Sequence, residues 1–84
     1  MKRYLIAQYF PAAGQDEEHP DCYFGTGSYV LSAELPVYIN ERHCYKTLAQ
    51  ANRYAAKCNM AYMYSRFAVK TVTLTDNGML QQIA

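Results

Sequence analysis

The chain contains no tryptophan, so nine tyrosines and three phenylalanines supply the aromatic bulk of its 84 residues. Cysteine is scarce as well. Cys22, Cys44 and Cys58 form no CxxC pair and leave one thiol over, which argues against a secreted disulfide framework. Charged residues are only 18% of the chain and sum to +1, too little for a global field that would announce nucleic acid or membrane as partner. Long apolar runs are missing. Lys2 and Arg3 precede Tyr4 to Phe10, but Gln8 interrupts that run and it is too short for a signal peptide or a membrane span, so a reducing cytoplasm is expected. No internal repeat, low-complexity tract or linker divides the sequence. A chain this short buries only a little over about 60% of the surface that its unfolded form exposes. One small domain spanning residues 1–84 is therefore expected, without a deep catalytic cleft.

What is present begins with a helix, expected from Thr47 to Tyr64. Thr47 and Gln50 have the spacing of a capping box, in which the Thr hydroxyl takes a backbone N–H of the first turn and the Gln side chain reaches back. Leu48, Ala51, Ala55, Cys58 and Tyr62 recur at three and four residues and mark an inward stripe, with Gln50, Arg53, Lys57 and Tyr64 on the far side. The small side chains in the middle of the stripe suit close packing on a β-sheet.

Arg3 to Phe10 reads as a strand with apolar groups on both faces, internal to that sheet. Pro11 ends it, and Ala12 to Cys22 reads as an exposed acidic loop. Tyr23 to Ser32 and Glu34 to Asn40 each have strand character, with Pro36 restricting the second to an edge or a strand start, and the two form either separate strands or one bent strand. Asn40 to Lys46 reads as a polar connection. Phe67 to Thr75 is a β-branched strand whose apolar face changes near Lys70–Thr71, which implies a bulge or burial on both sides. Asp76-Asn77-Gly78 predicts a type I′ hairpin turn into a short strand, Met79 to Ile83. The expected fold is α+β and two-layered: a mainly antiparallel sheet of three or four strands with one helix across one face.

No catalytic set assembles from these residues, and no enzyme is expected. His19, Cys22, His43 and Cys44 are the residue types that hold zinc, but ligands as close as His43-Cys44 rarely turn to one metal, so neither metal nor cofactor is expected. A Cys22–Cys44 disulfide runs against the expected compartment. Cys44 beside His43 lacks a third, orienting group for thiol chemistry. Gly25-Thr26-Gly27-Ser28 lacks the Gly-Lys-Ser/Thr ending of a phosphate loop and reads as a turn or bulge.

Charge is segregated. Asp16, Glu17, Glu18 and Asp21 cluster in the acidic loop, whereas Arg42 through Lys70 carries six basic residues and no acidic one. Arg53 and Lys57 share a helix face, and Met60, Met63 and Tyr64 fall off the inward stripe, where partner contact or self-association would cover them. Protein partners are the leading expectation, reached through Arg53, Lys57, Met60, Met63 and Tyr64, with Asp16, Glu17, Glu18 and Asp21 as an acidic contact loop. The alternative is DNA or RNA binding by the basic, Tyr-rich segment 42–70, with Arg53, Lys57, Arg66 and Lys70 on phosphates. A membrane partner is not expected. In size and strand–helix–strand layout the chain resembles small proteins encoded by phages and mobile elements, including inhibitors of host defence nucleases. That resemblance implies stoichiometric blocking of a nuclease or nucleoprotein complex, with the acidic loop as a phosphate mimic toward a basic groove.

Overall fold

A computed structural model describes residues 1–10, 20–28, 30–33 and 38–84, and within them one helix packs on a curled, antiparallel, five-stranded sheet. The strands are β1 (Lys2–Tyr9), β2 (Cys22–Phe24), β3 (Val30–Ser32), β4 (Arg66–Leu74) and β5 (Leu80–Ile83), in the order β3-β2-β1-β4-β5. The helix, α1, runs from Leu48 to Ala61. The α+β class agrees with expectation, but the sheet has five strands instead of three or four, and it curls instead of lying as one flat layer of a two-layer stack. Two of them, β2 and β3, are only three residues long, too short for a period-2 signal to emerge on either side of the Gly25–Gly27 turn. Cys22 belongs to β2 and not to a loop. Gly27 takes the left-handed conformation in that turn, with φ 61°. Residues 34–37, and with them most of the second candidate strand, lie outside the described residues.

β1 is central, as its two-sided pattern predicts. Its odd residues Leu5, Ala7 and Tyr9 join Tyr23, Ile39, Cys44, Val72 and Leu74 in one buried cluster. Ile6, on the other face, joins Phe67, Tyr45, Ala51 and Ala55 beneath the helix. Each fully buried Leu or Ile contributes about 1.5–3 kcal/mol. The β1–β4 register is unbroken from Lys2↔Thr73 to Tyr9↔Arg66, so no bulge occurs at Lys70–Thr71. The face change there is burial on both sides, and the irregularity lies at Thr73–Leu74, toward β5.

The Thr47 arm of the expected capping box is present: Thr47 Oγ1 accepts the Gln50 N–H at 3.2 Å. The inward stripe is narrower than its periodicity suggests. Ala51 and Ala55 are buried and Cys58 half-buried, but Leu48 is 48% exposed and Tyr62 59%. Tyr45, just before the helix, takes the place against Ile6 and Ala51 that Leu48 would have filled. At the other hairpin, the Gly78 N–H bonds to Thr75 O and the Thr75 N–H to Met79 O, with Gly78 at φ 81°. This is a three-residue loop with glycine at the left-handed position, in place of the two-residue type I′ turn.

Asn40 to Tyr45 is the largest departure from the sequence reading. Glu41–His43 forms a 3-10 turn capped by Asn40, whose Oδ1 accepts the Arg42 N–H while its own N–H donates to His43 Nδ1 at 3.1 Å. Cys44 and Tyr45 are buried, and Tyr45 exchanges two backbone hydrogen bonds with Tyr4, at 3.0 and 2.8 Å. The Glu41 N–H donates to Gly78 O, and the Glu41 carboxylate meets Arg3 at 3.2 Å. The Tyr45 hydroxyl donates to Gly25 O at 3.2 Å.

Gly25 lies so close to this segment that a Cβ there would stand 1.9 Å from the His43 carbonyl oxygen. Backbone occupies that space, so Gly25→Ala should cost about 2–4 kcal/mol, read as a lowered urea midpoint. Gly27→Ala, at φ 61°, should cost about 1–2 kcal/mol from backbone strain.

Candidate functional site

The exposed surface at the end of α1 is built by one side chain. Asn59 donates from Nδ2 to Phe67 O and accepts the Phe67 N–H at Oδ1, both at 2.9 Å, as a neighbouring strand would. With the helix end clamped to the start of β4, the chain must reverse between them. The helix therefore stops at Ala61 and not at Tyr64, and Tyr62 caps it with its N–H on Cys58 O. Met63 and Tyr64 form the turn. Met60, Met63 and Tyr64 are 87%, 85% and 79% exposed, and a shallow depression runs along Ala61 to Ser65. Arg53 and Lys57 are exposed on the helix, as the wheel predicts.

A second feature adjoins this patch. Because α1 packs on β1 and β4, it leaves an open groove of about 360 Å³ on its β2–β3 side, lined by Phe24, Val30, Tyr54, Cys58, Tyr62 and Phe67. Phe67 is the hub of its wall, 5.9 Å from the Phe24 ring and 5.9 Å from the Tyr62 ring. Gln8 lies at one end, its amide N–H on Ser65 Oγ at 3.1 Å and its amide oxygen accepting from Cys22 Sγ at 3.2 Å. Burial raises the pKa of the Cys58 thiol, which stays protonated at neutral pH. Sequence reasoning missed the groove. The available signal was Tyr54, Cys58 and Tyr62 at a spacing of four, a second stripe beside Ala51–Ala55.

The basic residues do not share one surface. Arg66 and Lys70 project from the β4 face opposite the helix, with their charged groups 5.3 and 5.8 Å from the centre of the Tyr9 ring, a cation–π arrangement. Arg53 and Lys57 stand on the other side of the sheet. Of the acidic contact loop, Asp16, Glu17 and Glu18 lie outside the described residues. Asp21 is exposed, with its N–H on Gln8 O at 2.8 Å.

His19 also lies outside the described residues, and among those described no three His, Cys, Asp or Glu side chains gather as metal ligands. All three cysteines are free thiols. Cys22 shares the groove-side face with Gln8, whereas Cys44 is buried in the cluster on the other face. Burial pushes the Cys44 thiol up to about 11; Arg3 opposes the shift and Glu41 adds to it. His43 is held below its ordinary 6.5 by burial and then by Arg42, consistent with a neutral ring that accepts from Asn40 at Nδ1.

The depressed His43 pKa sets the sign of an acid dependence. Below about 6.5 the unfolded chain binds a proton that the folded chain refuses, so stability is full above that pH and falls as pH drops through the folded value. NMR titration should place the His43 midpoint below 6.5, and urea midpoints should fall less steeply with acid in His43→Gln than in the parent.

Among the described residues no helix is long and apolar enough to cross a membrane. Compared with protein families, with curated proteins and with solved structures, the chain matches none of them.

Proposed function

We propose that this protein is a small, non-enzymatic binding module that acts by occupying the surface of a protein partner. The observation that carries the reading is the run of large apolar side chains, Met60, Tyr62, Met63 and Tyr64, left in solvent by the Asn59 clamp and continuous with an aromatic groove. Exposed apolar groups on one contiguous patch mark contact sites, and Met and Tyr are enriched at such sites. Arg53 and Lys57 add charge beside the patch. The phage-type inhibitor of a host nuclease or nucleoprotein complex is the specific form of this reading that the resemblance in size and layout suggests. Direct nucleic-acid binding is less favoured, because two of its four cations lie across the sheet on Tyr9.

The combined variant Met60→Ala, Met63→Ala, Tyr64→Ala tests the proposal. Surface substitutions of this kind shift stability by about 0.5 kcal/mol or less, whereas losing contact anchors weakens binding about tenfold or more. A partner recovered from native lysate should be retained after nuclease treatment and lost with the triple variant. Recovery that survives the triple variant, or that disappears with nuclease, would refute the reading.

A further inference from the structure

We propose that the groove between α1 and the β2–β3 hairpin takes the apolar anchors of an acidic polypeptide segment, with its carboxylates laid toward Arg53 and Lys57 on the helix. This deepens the protein-binding reading above and rests on it. Three observations set the chemistry of the occupant.

The groove has little to offer a polar ligand. The Gln8 amide at its end is already engaged by Ser65 and Cys22, and the remaining lining is aromatic and aliphatic apart from the Gly25 backbone, the Tyr54 and Tyr62 hydroxyls and the half-buried Cys58 thiol. Its volume of about 360 Å³ lies at the lower end for ligand pockets, and it is partly open to solvent. Such a site suits one or two large apolar side chains presented on a chain that continues past them.

The rings also disfavour a nucleobase. Phe24 is tilted 51° to Phe67, and Tyr62 is tilted 46° to it. They form a curved wall, not the exposed parallel faces on which successive bases stack.

Among the described residues the cations that flank the groove stand on the helix. Lys57 stands one turn beyond Tyr54, and Arg53 one turn before Lys57. Arg42 and Lys46 line a separate depression with Glu41, so the helix pair alone sets the charge beside the groove. No acidic residue occurs from 42 to 70. Asp21 lies at the opposite end, bonded through its N–H to Gln8. An occupant with acids at one end meets positive charge along the helix and avoids Asp21 at the other.

The test is selection of random 16-residue peptides on the folded protein, followed by synthesis of the enriched peptide. Enriched sequences should combine large apolar residues with net negative charge. The peptide should shift the amide resonances of Phe24, Val30, Tyr54, Cys58 and Tyr62. Its affinity should fall about tenfold or more in Arg53→Glu, Lys57→Glu, and markedly at about 1 M salt, where the Debye length is about 3 Å. Failure to enrich any sequence, enrichment without acidic bias, or shifts outside the groove would overturn the proposal. So would oligo(dT) shifting the same resonances, or those resonances moving with protein concentration as in self-association. If the lysate partner is still lost with the Met60, Met63, Tyr64 variant while the groove takes no acidic peptide, the protein-binding reading stands and this inference falls.

Discussion

The two backbone hydrogen bonds between Tyr4 and Tyr45 hold the segment that ties β1, both hairpin turns and α1 together. From Asn40 to Tyr45 the chain bonds to the β4–β5 hairpin through Glu41, to β1 through Tyr4 and Arg3, and to the β2–β3 turn through Tyr45, and it then delivers the chain into α1. An isolated helix of this length is marginal in water. Its position comes from the chain entering it already fixed on both sides of β1. Tyr45 does this with its backbone in the sheet and its ring among Ile6, Ala51 and Tyr54.

A second fixed point at the other end of the helix gives the surface its character. The Asn59 amide stands in for a strand on Phe67, so the turn from Tyr62 to Ser65 is tight and its large side chains face outward. Between the two fixed points the helix lies over β1 and β4, and the β2–β3 hairpin remains uncovered along one flank. The groove and the Met/Tyr patch are thus two results of one placement.

Much of the scaffold was legible in the sequence, and the reasons differ by element. β1, β4 and α1 are long and periodic, so Leu5, Ile6, Val72, Ala51 and Ala55 fall where their spacing puts them. The Thr47 cap and the glycine turn at Gly25–Gly27 rest on local chemistry and are also as expected. The segment from Asn40 to Tyr45 was not legible, because its bonds reach residues distant in sequence and nothing in Asn-Glu-Arg-His-Cys-Tyr reveals Gly78 or Tyr4. The exposure of Met60, Met63 and Tyr64 follows from their position off the inward stripe. The groove does not, since it needs Phe24 and Val30 from short strands without periodicity. The basic segment misled in a different way: proximity along the chain put Arg66 and Lys70 beside Lys57, but strand alternation sends them to the opposite face.

The central position of β1 has a consequence for how the chain is made. Its longer partnership is with β4, pairing Lys2 with Thr73, while its other edge is completed by β2 and by Tyr45. Non-local pairings of this kind are slow to form and leave apolar strands unpaired while they wait. During translation the two-sided apolar strand emerges early and its main partner late. Until β4 leaves the ribosome, Leu5, Ile6 and Ala7 have no complete core to enter.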